Sequence, residues 1–186
     1  FPMMIGMAVV AKPLILVILT EKWLPSVPFL QIFCISYAFR PIHTANLQAI
    51  NAMGRSDIFL KIESIKKIMG LIILSISIPF GVYAMAIGLV VSAFISSLIN
   101  AYPNKYLLDY SYLEQWKDIM PSLSTSLFMG AIVYVLNSLS IHPLQILIIQ
   151  ILLGISLYIF LAKLLKNESF SYLVASIKEF IAGRKK

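Results

Sequence analysis

The sequence predicts an all-α integral membrane protein, on three observations. Hydrophobic residues make up 60% of the chain, charged residues 12%, and the mean hydropathy is +0.90, a composition far from that of soluble domains. Apolar stretches of membrane-crossing length alternate with short links that hold proline, glycine and basic residues. Where polar residues enter those stretches they recur every three or four positions, so they share helix faces.

Six spans are expected, at about 2–20, 27–53, 57–80, 82–102, 119–139 and 143–163. They form a bundle over 1–163, followed by a cytoplasmic amphipathic tail over 164–186. The first span carries Lys12-Pro13 in its middle. Proline removes a backbone donor and kinks the helix, and a neighbouring helix or water must satisfy the freed carbonyl. Lys12 is a cation at depth, which either stretches to an interface or faces a cavity. The chain opens at Phe1 on residues that already read as the interior of a span, with no charged leader and no small-residue cleavage site. We read it as a piece of a longer protein.

The second span organises the rest. Ser36, Arg40, Thr44, Gln48 and Asn51 fall on one face. The apolar run before them, 27–39, covers only about 20 Å at 1.5 Å per residue, too short for a hydrocarbon core of about 30 Å. The span must therefore continue past Arg40. Exposing an arginine to lipid is costly, so Arg40 either snorkels to the headgroups or faces a packed or watery interior. Snorkelling explains one arginine but not four uncharged polar neighbours, and the stripe is read as a cavity wall. Arg40-Pro41 should bend this helix near its centre.

Gly54 has the position of a helix C′ residue, and Ser56-Asp57 can cap and charge the next helix. That helix sets Ile58, Ile62, Ile65 and Met69 on one face, and Glu63 can pair with Lys67 at i+4. Pro79-Phe80-Gly81 is the following turn. Over 82–102 the small residues Gly81, Ala84, Gly88 and Ser92 recur at helical spacing and suit close helix packing in lipid. The stretch 102–118, with Lys105, Lys117, four tyrosines and Trp116, reads as an interfacial connection. Ser140-Ile141-His142 joins the last two spans. In the tail, Phe170, Leu173, Val174, Ile177, Phe180 and Ile181 make an apolar face accompanied by Lys178, Arg184, Lys185 and Lys186, suited to lying along the membrane surface.

If the first span starts in the cytoplasm, the inside connections and tail hold Arg55, Lys61, Lys66, Lys67, Lys105, Lys117, Lys163, Lys166, Lys178, Arg184, Lys185 and Lys186. The outside connections hold only Lys22. Positive-inside then places both ends of the chain in the cytoplasm. The same distribution argues against a nucleic-acid partner, because the basic residues sit in membrane links and form no continuous surface.

Catalytic and metal signatures are missing from the sequence. His43 and His142 are far apart, Cys34 stands alone in an apolar helix, and no zinc, calcium or phosphate-loop spacing occurs. No serine lies in a nucleophile-elbow setting. Asn167-Glu168-Ser169 fits the glycosylation pattern but falls on the inferred cytoplasmic tail. Polar and cationic groups at depth in a polytopic bundle point to a transporter and not an enzyme. A membrane-embedded glycosyl or acyl transferase is the weaker alternative, since nearly all the acids fall in connections or the tail. No cofactor or metal is expected.

Three passages carry a family resemblance: Ala11-Lys12-Pro13-Leu14-Ile15 running into Glu21-Lys22-Trp23; Leu47-Gln48-Ala49-Ile50-Asn51-Ala52-Met53-Gly54-Arg55-Ser56-Asp57; and Gly81-Val82-Tyr83-Ala84-Met85-Ala86-Ile87-Gly88. In their order and spacing the chain resembles the C-terminal part of a polysaccharide flippase of the Wzx/PST type, in the MOP superfamily that also holds MATE exporters and MurJ-like lipid flippases. The resemblance implies two helical lobes around a central cavity, with these six spans the ninth to fourteenth of fourteen. It implies export of an undecaprenyl-pyrophosphate-linked oligosaccharide across the bacterial cytoplasmic membrane, for lipopolysaccharide or another surface polysaccharide. Membrane lipid and the missing N-terminal part of the same protein would be the partners. MATE-like export of small molecules is the nearest alternative within the resemblance.

Overall fold

A computed structural model describes residues 1–139, 141–165, 170–172, 175, 176 and 179. Among the described residues there are seven α-helices and no strands: α1 (Pro2–Ile18), α2 (Val27–Ala38), α3 (Arg40–Ala52), α4 (Ser56–Ser77), α5 (Val82–Leu107), α6 (Tyr112–Val135) and α7 (Pro143–Leu164). α1 packs against α2, α6 and α7, and α5 packs against α2, α3 and α4. Two helical groups therefore share α2 between them.

The distribution of side chains is inverted relative to a soluble protein. Asn46, Ser97, Asn100, Asn104, Gln115, Thr125, Ser126 and Gln150 are buried, while Phe128, Val135, Leu152, Ile155 and Phe160 stand outside. Water would make that apolar surface costly, whereas hydrocarbon makes it neutral and forces polar groups inward. Three helical segments, Val82–Leu107, Tyr112–Ser138 and Pro143–Leu164, are each long and apolar enough to cross a membrane. The remaining expected spans do not qualify singly. α1 has 17 residues, α4 carries Lys61, Glu63, Lys66 and Lys67 within three turns, and the striped span is broken in two.

That break lies at Phe39, where α2 ends and α3 begins with Arg40-Pro41. Pro41 lacks the donor that would continue α2, so the expected bend becomes a discontinuity. Pro13 lies inside α1, which runs unbroken from Pro2 to Ile18. Pro13 cannot donate to the carbonyl of Val9, and Asn137 Nδ2 of the α6–α7 link donates to it instead at 3.4 Å. One residue earlier, Gln31 Nε2 of α2 donates to the Ala8 carbonyl at 3.1 Å. The weak point of α1 thus becomes its attachment to two neighbours.

The connection expected over 102–118 is mostly helix. α5 runs on to Leu107, and α6 starts at Tyr112 because Ser111 and Glu114 form a reciprocal capping box. The true link is only 108–111. Within it Tyr110 donates to Asp118 Oδ2 at 2.5 Å, and burial, followed by that carboxylate, pushes its hydroxyl up to about 12. Trp116 packs edge-on to Phe39 at the helix break, with ring centroids 6.3 Å apart. It belongs to the bundle interior there, which an aromatic-belt assignment does not capture.

Other local expectations need adjusting. Gly54 has φ +69°, as a residue just past a helix end should. Ser56 does not cap α4, because it is already the first helical residue, whereas Asp57 does place an acid in the first turn, where it also bonds Arg55 at 3.1 Å. Of the small-residue series, Gly88 makes the close approach. A Cβ there would come within 2.8 Å of Ser77 Oγ on α4. Gly81 is an exposed turn residue with φ +87°, Ala84 is half-buried, and Ser92 turns to a cavity. His142 caps α7 by accepting the Leu144 N–H at 3.3 Å. In the tail, Phe170 packs edge-on to Tyr158 of α7, while Leu173, Val174, Ile177, Lys178, Phe180, Ile181 and 183–186 lie outside the described residues.

Topology is testable at exposed positions that tolerate substitution. Ser56 and Phe80 replace their glycine neighbours Gly54 and Gly81, whose positive φ angles would strain any other residue. In a Cys34→Ser background, impermeant thiol reagent applied to intact cells should label cysteines at Phe80 and Ile141 and spare those at Ser56 and Lys105. External labelling at both Ser56 and Lys105 would invert the orientation.

Candidate functional site

The break between α2 and α3 opens onto a cavity of about 810 Å³ walled by α2, α3, α4 and α5. From the polar stripe, Ser36, Arg40 and Thr44 line it. His43, Glu63, Lys66, Ser92 and Ser96 join them, with Phe33, Tyr37, Phe59 and Leu89 supplying apolar wall. Gln48 and Asn51 are exposed farther along α3 and are not part of this lining, and Lys12 is exposed on α1, also apart from it. The stripe keeps to one cavity across the break, from Ser36 to Thr44, and Gln48 and Asn51 lie one and two turns farther along α3, beyond the lining.

Arg40 stands at the first position of α3 with its guanidinium over the Tyr37 ring, 5.7 Å from the centroid. No described carboxylate pairs with it. Arg40 thus stands between the C-terminal end of α2, whose carbonyls favour a cation, and the first turn of α3, whose N–H groups favour an anion. Arg40 and Thr44 also border a second, more apolar cavity of about 830 Å³ beside the start of α1. Ser36 is a lining residue of the first cavity, and its Oγ is itself buried and has no hydrogen-bond partner.

Lys66 and Glu63 form an ion pair on α4, one turn apart, with the lysine side chain 14% and the carboxylate 30% exposed. The pairing of Glu63 with Lys67 expected from sequence is thereby corrected. Lys67 is exposed, whereas Lys66 shares the cavity wall with Glu63 and lies on the less hydrated side of the helix. Charge counting placed Lys66 in a connection, yet it lies within the wall of the cavity.

Behind the cavity runs a buried amide chain that sequence periodicity did not single out. Asn104 Nδ2 donates to Asn46 Oδ1 at 2.5 Å, and Asn46 Nδ2 donates to Gln115 Oε1 at 2.8 Å. Asn100 Nδ2 lies 3.1 Å from His43 Nδ1. These contacts tie α3 to α5 and α6 in a region with little water, where each amide needs the next. A signal was available, since Ser97, Asn100 and Asn104 stand three and four residues apart on α5. His43 is both a hydrogen-bonded interior residue and part of the cavity wall. Among the described residues no group of three metal-ligating side chains converges.

Chemically, the site offers two cations, one carboxylate, an imidazole and several hydroxyls at a helix break inside an apolar bundle. It suits an anionic group attached to a hydroxyl-bearing body.

No protein-family profile matches the chain, and no solved structure matches it. Over 101 residues it is 28% identical to an uncharacterized membrane protein in the cps region of Klebsiella pneumoniae. The match covers 54% of this chain and 21% of that protein's length.

Proposed function

We propose that this chain is part of a carrier that moves a lipid-linked oligosaccharide across the bacterial cytoplasmic membrane for surface polysaccharide synthesis. The observation that carries the reading is the cavity at the α2–α3 break, where Arg40 and Lys66 face a hydroxyl-lined space inside a bundle with an apolar exterior. Broken helices at depth commonly carry transporter binding sites, because their ends supply polar backbone where a substrate needs it. The similarity to a membrane protein of a cps, or capsule polysaccharide, region supports the polysaccharide context. The resemblance to Wzx/PST flippases supplies the flipping reaction and the undecaprenyl-pyrophosphate anchor.

In this reading all six segments cross, α2 and α3 together as one broken span, and both ends of the chain are cytoplasmic. The chain acts by binding and alternating access and not by bond chemistry. A second lobe supplied by the missing N-terminal part closes the cavity. In a flippase-null strain, the complete reading frame should restore surface polysaccharide and the 186-residue chain alone should not, because one part of a two-lobed carrier cannot enclose and release its cargo. Restoration by the 186-residue chain would overturn the two-lobe reading, and failure of the complete frame would overturn the substrate.

A further inference from the structure

We infer that Glu63 is the resident counter-ion of the cavity, holding Lys66 until a ligand group with at least two negative charges displaces it. The inference rests on the anion-site reading above and adds how that site is controlled and what charge its ligand carries.

Among the described residues Glu63 is the one carboxylate in the cavity lining, which also holds Arg40, Lys66 and His43. The other acid near this end of α4, Asp57, is exposed and pairs with Arg55. A lysine 14% exposed cannot be left unpaired cheaply, so Lys66 needs an anion at all times. Its partner is the more hydrated of the two, with 30% of its side chain exposed, so Glu63 can swing toward water and keep its solvation. Arg40 has no carboxylate of its own among the described residues. A singly charged anion is satisfied by Arg40 alone and has no cause to break the α4 pair. A doubly charged group reaches its best position only by taking both Arg40 and Lys66, which expels Glu63.

The test uses the complete carrier in neutral phosphatidylcholine nanodiscs, with inorganic pyrophosphate as the two-site probe and dimethyl phosphate as the singly charged one. Binding is measured by calorimetry, and carboxylate stretching bands by infrared difference spectroscopy with ¹³C-labelled glutamate. Pyrophosphate should shift a glutamate carboxylate band that is missing in Glu63→Gln, and dimethyl phosphate should leave it unmoved. Glu63→Gln should bind pyrophosphate about tenfold more tightly, a change of about 1.4 kcal/mol, and Lys66→Gln should weaken it. If wild type binds pyrophosphate through Arg40 with no carboxylate shift and Glu63→Gln gains nothing, the counter-ion role is overturned and the anion site stands. An equal shift with dimethyl phosphate overturns the two-charge requirement. If pyrophosphate does not bind and Arg40→Gln changes nothing, the anion-site reading itself falls. The infrared measurement on wild type keeps the test decisive should a substituted chain fold poorly.

Discussion

Arg40→Gln in the complete carrier should cut surface polysaccharide export by about tenfold or more, while the protein accumulates in the membrane at its normal level. The two halves of this expectation have separate causes. An arginine meeting a phosphate-type group can form two charge-assisted bonds, and hydrogen bonds to charged groups are worth about 1.5 to 3 kcal/mol. Folding loses little, because Arg40 has no described ion pair and its recorded contact is with the Tyr37 ring. Arg40→Lys keeps the charge without the planar fork and should retain part of the export. The measurements are cell-surface polysaccharide and an immunoblot of the membrane fraction. Normal export by Arg40→Gln, or its failure to accumulate, would make Arg40 a snorkelling or structural residue.

The second large effect falls on stability. Asn46→Leu removes the centre of the amide chain, leaving Gln115 Oε1 without its buried partner and Asn104 Nδ2 with only its longer bond, 3.4 Å, to the backbone carbonyl of residue 46. Each orphaned group costs about 1 to 3 kcal/mol in water-soluble proteins. Hydrogen bonds between membrane helices average nearer 0.6 kcal/mol, with a maximum of about 1.7. One orphaned acceptor and one weakened donor should therefore destabilise by about 1 to 2 kcal/mol, or about 3 to 6 °C in thermal unfolding of the detergent-solubilised chain. Gln48→Leu, at an exposed site on the same helix, should shift the midpoint by less than about 1 °C. If Asn46→Leu melts with wild type, the amide chain does not hold α3 to α5 and α6.

Composition and period were enough for the all-helical class, because transfer of apolar area into lipid and the need to satisfy every backbone donor depend on local sequence alone. They also drew attention to the stretch around Arg40, part of which lines a cavity in the structure, since an arginine with polar neighbours at helical spacing is conspicuous in an apolar chain. Gly54 was legible for the same reason, a helix end being a matter of a few residues. The Ser111–Glu114 capping box was there to be read, and overlooking it turned the start of α6 into a loop.

What the tertiary structure decided is which charges meet. Glu63 could bond Lys66 or Lys67 by spacing alone, and burial against the cavity wall selects Lys66. Gln48, Asn51 and Lys12 carry the same sequence signal as Arg40, yet Gln48 and Asn51 lie farther along α3 than the cavity reaches, and α1, which holds Lys12, is not one of its walls. Asn46, Asn100, Asn104 and Gln115 lie on three helices as much as 69 residues apart in the chain, and their partnership follows from how α3, α5 and α6 approach one another. Periodicity along one helix says which residues share a face. Which face that helix presents to its neighbours is set by the packing of the whole bundle, and only there do separate polar residues become a site.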